Sequence, residues 1–205
     1  MKTQVFLTAC FGIMITFAAC TGGNNSKNTT DTATTDTVMT HDTTAMDMPT
    51  DTAMYDAAHA DLAGTKPDTT VTGTAHFARK GDKVELTLAL SVPKKANSSV
   101  AVHFHEHGDC GNMGEGAHGH WNPTNEQHGK WGTSAYHSGD IGNIKLDKDG
   151  KGTFTVSTDR WTIGGTAPTN ILNRAIIVHS GVDDYKTQPT GKSGTRIGCA
   201  VITKM

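Results

Sequence analysis

The chain is poor in aromatic residues and has no excess of charge of one sign. Of its 205 residues 6% are aromatic, and the formal net charge at pH 7 is −2. A nucleic-acid-binding protein usually carries a basic patch, so this composition excludes nucleic acid as an expected partner. Cysteine is also scarce, with four copies at positions 10, 20, 110 and 199.

The chain also lacks an apolar run long enough for a membrane span. The run from Val5 to Ala19 has instead the size of a signal-peptide core. It leads into Thr16-Phe17-Ala18-Ala19-Cys20, which resembles the bacterial lipobox; Leu7-Thr8-Ala9-Cys10 fits too, but leaves almost no hydrophobic core. We therefore expect residues 1–19 to be a lipoprotein-type signal peptide and Cys20 to be lipidated. An ordinary cleaved signal is the alternative, and both predict export.

Residues 20–52 have almost nothing to bury, since Thr, Asp, Ala, Asn and Gly dominate them. We expect a disordered tether that lifts a domain off a membrane in the cell envelope, in the periplasm or at the cell surface. Repeated Asp-Thr triplets such as Asp31-Thr32-Ala33 resemble a bacterial O-glycosylation signal, although a Thr/Asp-rich tract produces them freely. Thioether and imidazole ligands suit Cu(I), and the alternative to copper binding here is a polar tail with incidental methionines. The residues concerned are Met39, His41, Met46, Met48, Met54 and His59.

Residues 53–205 are predicted to form one all-β domain. Its short apolar segments are separated by turn signals at 80–82 and 147–150. Two longer segments, 111–139 and 180–194, show no strand or helix periodicity and are predicted to be functional loops. Many short strands without a long amphipathic helix favour an antiparallel sandwich or barrel of about eight strands. The predicted strands are 71–77, 84–92, one containing His103, 141–146, 152–156, 175–179 and 195–202.

Histidine is the abundant residue, with eleven copies, seven of them between His103 and His137. Because strand side chains alternate, His103 and His105 share one face while Val102 and Phe104 share the other. Paired imidazoles suit copper or zinc better than magnesium or calcium. Chance surface histidines would explain one such pair, but more histidines follow in the chain.

A second group of potential ligands lies on the long loop. His120, His128 and His137 with Asp140 offer three nitrogens and one oxygen, the donor set of a closed tetrahedral zinc site. His103 and His105 remain, with His179 on a later strand. A low-coordinate imidazole site of this kind suits a redox ion such as copper.

These motifs together resemble the Cu/Zn superoxide dismutase family over residues 53–205. The resemblance rests on motifs that occur in order and with the right separations. They are His103-Phe104-His105-Glu106 with Gly108-Asp109, Gly119-His120-Trp121-Asn122-Pro123, His128-Gly129, His137-Ser138-Gly139-Asp140, Val178-His179 with Asp183-Asp184, and Gly194-Thr195-Arg196-Ile197-Gly198-Cys199.

The resemblance implies a Greek-key β-barrel that converts superoxide to oxygen and hydrogen peroxide with one copper and one zinc ion per chain. It implies that His120 is shared by both metals and takes part in proton transfer. The implied copper ligands are His103, His105, His120 and His179. The implied zinc ligands are His120, His128, His137 and Asp140.

The resemblance also assigns residues around the metals. Asp183 would link the copper ligand His103 to the zinc ligand His128. Cys110 and Cys199 would form a disulfide, as expected for a single late pair in an exported chain. Arg196 would attract and position the anionic substrate. Arg174 would be a structural arginine near the end of the barrel.

Two rivals and two open points accompany this prediction. A non-catalytic copper-binding lipoprotein could keep the fold, although Arg196 and a shared His120 argue against it. A zinc-only structural module would not need His179. The family pairs its subunits differently, or not at all, in different bacteria, so a homodimer is one possible arrangement. His107 and His118 are additional histidines that could bind a further metal or compete during loading.

Overall fold

A computed structural model describes residues 52–205 of the chain. The predicted signal peptide, Cys20 and the predicted tether up to residue 51 lie outside the described residues, as do the ligand candidates Met39 to Met48. The described part contains nine strands and two short 3-10 helices, Pro93–Lys95 and Asn112–Ala117. The strands are β1 Ala57–Gly64, β2 Thr72–Lys80, β3 Lys83–Ser91, β4 Ser99–His105, β5 Gly142–Lys145, β6 Lys151–Thr158, β7 Ala175–His179, β8 Arg196–Val201 and β9 Thr203–Lys204.

The strands form one antiparallel sheet that is nearly closed into a barrel. Its order is β5-β4-β7-β8-β1-β2-β3-β6, and β9 extends the pairing of β1. The connections from β3 to β4 and from β6 to β7 join strands that are not neighbours, which is Greek-key topology. The end strands β5 and β6 meet at a turn in which the Asp147 amide donates to the Lys151 carbonyl at 2.8 Å. The predicted all-β Greek-key barrel is confirmed.

The barrel interior is filled by alternate side chains of each strand. On β3, Val84, Leu86, Leu88 and Leu90 are buried while Lys83, Thr87 and Ala89 are exposed, the period-2 pattern of a strand with one wet face. Aromatic rings occupy the centre, where Phe104 lies 5.8 Å from Phe77 and 5.1 Å from Trp161 between ring centroids. This packing fixes β4 from the inside.

Two neighbouring strands, β4 and β7, are buried on both faces. Val100, Val102 and Phe104 of β4 join the interior cluster, so Ala101, His103 and His105 point to the outer side. The long segments after β4 and β7 cover that outer side. The barrel thus carries a second buried layer, built from loops over two strands.

The loops and the last strand differ in detail from the sequence prediction. The segment 111–139 contains the 3-10 helix Asn112–Ala117, which is irregular because Met113 and Gly114 inside it have positive φ. The single last strand predicted for 195–202 ends at Val201, and the chain resumes pairing as β9. No helix among residues 52–205 is long and apolar enough to cross a membrane.

Candidate metal centre

The outer face of β4 is the floor of a buried histidine cluster. His103 and His105 rise from it, and His179 comes from the end of the adjacent β7. His120 joins through a bridge with His105, next to a hydrogen bond at 2.8 Å from the Trp121 amide to the Phe104 carbonyl. These four residues, the predicted copper set, place one ring nitrogen each within 4.8 Å of one another.

Each imidazole of the predicted copper set has one nitrogen engaged and one free. His103 Nε2 lies 2.9 Å from Asp183, His105 Nδ1 lies 2.8 Å from the His118 carbonyl and His179 Nδ1 lies 3.3 Å from the Gly194 carbonyl. The other nitrogen of each ring is buried without a hydrogen-bond partner, as is Nε2 of His120. Buried polar atoms without partners cost free energy, so four of them converging fit a metal ion that accepts nitrogen donors.

Asp140 is the centre of a second set on the loop, the predicted zinc set with His120, His128 and His137. Its carboxylate oxygens lie 2.9 Å from His120 Nδ1, 3.0 Å from His128 Nδ1 and 3.3 Å from His137 Nδ1. The Gly129 and His137 amides also donate to this carboxylate. One potential ligand atom from each of the four residues lies within 4.8 Å of the others, and all four residues are buried. Three nitrogens around one carboxylate fit zinc.

Burial lowers the pKa values of three rings of the predicted copper set, those of His105, His120 and His179. It lowers the pKa of His179 to about 3, with a further contribution from His103. It lowers the pKa of His120 to about 4, although the hydrogen bond to Asp140 opposes the change. Burial also holds the pKa of His105 well below its usual range. These rings are therefore neutral at pH 7, the protonation state that a metal needs.

For His128 and Asp140 of the predicted zinc set, hydrogen bonds between carboxylates and imidazoles outweigh the effect of burial on the pKa values. Burial alone would lower the pKa of His128, but hydrogen bonds to Asp140 and Asp183 outweigh it and raise the pKa to about 9. Burial alone would raise the pKa of Asp140, but hydrogen bonds with His120, His128 and His137 hold it well below its usual range. Without metal, His128 is a buried imidazolium between two carboxylates.

Asp183 connects the two sets. Its two oxygens lie 2.9 Å from His103 Nε2 and 2.9 Å from His128 Nε2, so one carboxylate orients a ring of each set. The Asn143 side chain accepts from the Asp183 amide and donates to its carbonyl. A Cβ on Gly191 would lie 1.8 Å from Asp183 Oδ1, and Gly191 has φ +67°. Only glycine fits there without displacing the carboxylate.

Asn143, Gln188 and Gly191 were not found from the sequence. Gln188 accepts from the His128 amide at 2.9 Å and donates to the His128 carbonyl at 2.9 Å, which ties the loop after β7 to the zinc set. A lone Asn or Gln carries no pattern that marks such a contact. Gly191 carried only a weak sequence signal, because it is one of several glycines in the loop after β7.

Arg196, at the start of β8, lies on the rim of the cluster. Its Nη1 donates to the Gly114 carbonyl at 2.6 Å and its Nη2 donates to the His118 carbonyl at 2.6 Å. Its charge is close enough to contribute to the low pKa values of His105 and His179. The guanidinium is therefore fixed beside the predicted copper set.

The predicted disulfide is confirmed. Cys110 and Cys199 are bonded, with their Cα atoms 5.8 Å apart, and so join the base of the long loop to β8. The loop that contacts Arg196 and the strand that carries it are thereby linked covalently. Arg174 donates to the carbonyls of Glu106 and Asn170, a structural position near the end of the barrel.

The fold and site define a β-barrel protein with two adjoining histidine-rich sets for transition metals. The family described as copper/zinc superoxide dismutase (SODC) matches residues 71–202. A copper–zinc superoxide dismutase of Paramecium bursaria Chlorella virus 1 is 36% identical over 64% of this chain and 72% of its own. A second such enzyme, from Aquifex aeolicus, is 34% identical over 71% of this chain and 85% of its own.

The comparison with solved structures finds proteins of similar fold. The clock protein EA4 superposes with a TM-score of 0.64 at 27% identity, over 75% of this chain and 97% of that chain. A double mutant of a SOD-like protein from Bacillus subtilis gives a TM-score of 0.62 at 29% identity, over 70% and 95%. The chain belongs to the copper/zinc superoxide dismutase family, and the prediction of an enzyme of this class, with copper and zinc as its metals, is confirmed.

Proposed function

We propose that the chain dismutes superoxide at a copper centre that shares His120 with a zinc ion, and that it protects the cell envelope. The orientation of His120 carries the proposal. Its Nδ1 lies 2.9 Å from Asp140, whereas its Nε2 has no hydrogen-bond partner and belongs to the other set. One imidazole therefore offers a nitrogen to each metal.

Copper would be held by the predicted copper set and zinc by the predicted zinc set, one ion of each per chain. Bound copper would supply one-electron chemistry that oxidises one superoxide to oxygen and reduces the next to peroxide. Zinc would be the structural ion of the loop, because its ligands come from a segment with few strand contacts of its own.

Arg196 is the proposed anion-positioning residue. Superoxide is a small anion, and a guanidinium keeps its positive charge at every working pH. The Arg196 side chain is 15% exposed, so part of it reaches solvent while two backbone carbonyls hold the guanidinium in place. A fixed charge of this kind binds the substrate without reorganisation.

His120 is the proposed proton carrier. Peroxide formation consumes two protons, and Nε2 of His120 is a buried nitrogen with no hydrogen-bond partner. Asp140 accepts at Nδ1 and so holds the ring in the orientation that presents Nε2. Water would supply the second proton.

Metal content and the electron paramagnetic resonance spectrum of the mature chain test the shared ligand. We expect one copper and one zinc per chain, and a rhombically distorted Cu(II) signal that changes when zinc is removed. A copper signal that is indifferent to zinc would contradict the shared His120. Loaded protein without cyanide-sensitive dismutation above that of free copper would favour the non-catalytic copper-binding lipoprotein.

We further propose an envelope lipoprotein in which residues 1–19 are the signal peptide, Cys20 is lipidated, residues 20–52 are a tether and residues 53–205 are the enzyme domain. The sequence Ala18-Ala19-Cys20 at the end of an apolar run supports the anchor. We expect Cys20→Ser to move the protein from the membrane fraction to the soluble fraction, while the matched Cys10→Ser variant stays membrane-bound. Mass spectrometry showing Cys20 unmodified would refute the anchor.

A further inference from the structure

A third group of metal-ligating side chains lies outside the copper and zinc sets. Glu106, His107 and His118 place one ligand atom each within 4.8 Å of one another, and all three residues are exposed. The rings of His107 and His118 meet edge to face, with centroids 4.5 Å apart. We call these three residues the rim cluster.

The rim cluster is built on a fixed backbone. Beyond the end of β4, the Glu106 amide donates to the Gly119 carbonyl at 3.0 Å and the His107 amide donates to the Ala117 carbonyl at 3.2 Å. These bonds hold the two chain segments side by side, so the three side chains are neighbours before any ligand binds. The Cys110–Cys199 disulfide anchors the same loop three residues after His107.

The backbone conformation of His118 is unfavourable for a residue with a side chain. His118 has φ +61° and ψ −140°, a conformation that glycine adopts freely and other residues adopt at a cost in free energy. The conformation turns the His118 carbonyl inward to His105 and Arg196, and it leaves the side chain outside beside His107. A glycine at position 118 could direct the backbone carbonyl in the same way without strain. The histidine therefore differs from glycine here only by its exposed imidazole.

The rim cluster contains one carboxylate, that of Glu106, as a negatively charged ligand for a cation. Arg174 donates to the Glu106 backbone carbonyl and its charge acts on the Glu106 carboxylate, while Arg196 lies 3.5 Å from Glu115 instead. Among residues 52–205, no basic side chain lies within 4.0 Å of the Glu106 carboxylate as an ion pair.

We propose that Glu106, His107 and His118 form a third metal site, for a divalent transition-metal ion. Two imidazole nitrogens and one carboxylate oxygen suit Cu(II) or Zn(II), with Cu(II) bound more tightly, and leave coordination positions for water. Magnesium and calcium prefer all-oxygen sites. The site is separate from the shared-His120 centre and does not depend on it.

The test is a Cu(II) titration of the mature chain already loaded with copper and zinc. We expect the wild type to bind one ion more than the His118→Gly variant, with an added axial Cu(II) resonance that the variant lacks. His107→Ala should weaken binding of that ion at least about tenfold. Because His118→Gly relieves an unfavourable φ, we expect its thermal midpoint to rise by about 2 °C or more, so misfolding would not explain the lost ion.

His76→Ala is the matched control. His76 is exposed on β2, directly opposite the half-buried His59 of β1, so these two histidines are a second pair of neighbouring imidazoles remote from the rim cluster in sequence. The His76 variant should keep the extra ion. Equal copper uptake by the wild type and His118→Gly, or loss of the ion in His76→Ala instead, would overturn the proposal.

Discussion

Three imidazoles of the predicted copper set are oriented by partners that belong to neither metal set. Asp183 engages His103, and backbone carbonyls engage His105 and His179. The nitrogen of each of these rings that would face copper is therefore selected before an ion binds. Strand alternation predicted the common face of His103 and His105, but it could not predict which nitrogen would face inward, because that depends on loops distant in sequence.

Single-ligand substitutions should separate the metals. His179→Ala removes a nitrogen from the copper set alone, so we expect copper affinity to fall about 100-fold or more while zinc is retained. His137→Ala should do the reverse. Metal content after dialysis against a graded chelator series measures both, and equal loss of the two metals from His179→Ala would contradict the separate assignments.

The metal-free protein should have a stability maximum near pH 6.5. The pKa of His128 is raised to about 9 in the folded state, so the stabilisation from its ion pairs is complete below pH 6.5 and is lost as pH rises to 9, by up to about 3 kcal/mol. The pKa values of His120 and His179 are lowered to about 4 and about 3. Below pH 6.5 these two histidines become protonated in the unfolded chain but stay neutral in the folded protein. The free energy of unfolding therefore falls again as the pH is lowered.

Urea unfolding of chelator-treated protein from pH 4 to 9 measures this profile. Zinc-loaded protein is the control, because zinc replaces the proton on His128 and should remove the loss above pH 6.5. A metal-free protein whose free energy of unfolding rises steadily from pH 6.5 to 9 would show that His128 is not an imidazolium between Asp140 and Asp183.

At the scale of elements, most strands followed from sequence, whereas β1 and the contacts between loops did not. The alternation of β3 and the turn residues 80–82 predicted the hairpin of β2 and β3 that the structure contains. At 147–150 the structure has the predicted turn, but β5 pairs with β4 and β6 pairs with β3, so these two strands do not form a hairpin ladder. The contacts of Asn143 with Asp183 and of Gln188 with His128 span 40 and 60 residues, respectively. No local period encodes such pairs, since they arise when the loop after β7 meets β5 at Asn143 and the long loop at His128.

The disulfide should matter most where loop and strand meet. A double variant, Cys110→Ser with Cys199→Ser, frees the 3-10 helix segment from β8, and we expect the free energy of unfolding to fall by about 2–5 kcal/mol. Arg196 should lose its fixed position, so kcat/KM should fall more than the metal content does. Denaturation and activity assays on metal-matched samples test this, and unchanged kcat/KM would mean that the Gly114 and His118 carbonyls suffice to hold the guanidinium.

At the scale of the whole molecule, the substrate approaches a chain whose formal net charge is −2. The overall field does not attract an anion, so a local positive charge at the opening must do so. We expect Arg196→Ala to lower kcat/KM about tenfold or more and to weaken its dependence on ionic strength, with both metals retained. Arg79→Ala on the remote strand β2 is the control, and an equal effect there would assign the attraction to total charge instead.

Most of the architecture was predictable because the motifs occur in order along the chain and the barrel brings their ends together. The assembly of His179 with His103 depends on β7 pairing with β4, in which Ile177 lies opposite His103. Composition alone could not give that register. The family resemblance predicted that His179 and His103 belong to one ligand set, but the register of the two strands is seen only in the structure.

The carbonyl of His118 accepts hydrogen bonds from both His105 Nδ1 and Arg196 Nη2, at 2.8 and 2.6 Å. A small rigid shift of its loop therefore displaces a ring at the metal and the charge at the opening in the same direction. Because one carbonyl oxygen accepts from both groups, the position of the proposed anion-binding charge is coupled to the position of a ring in the predicted copper set.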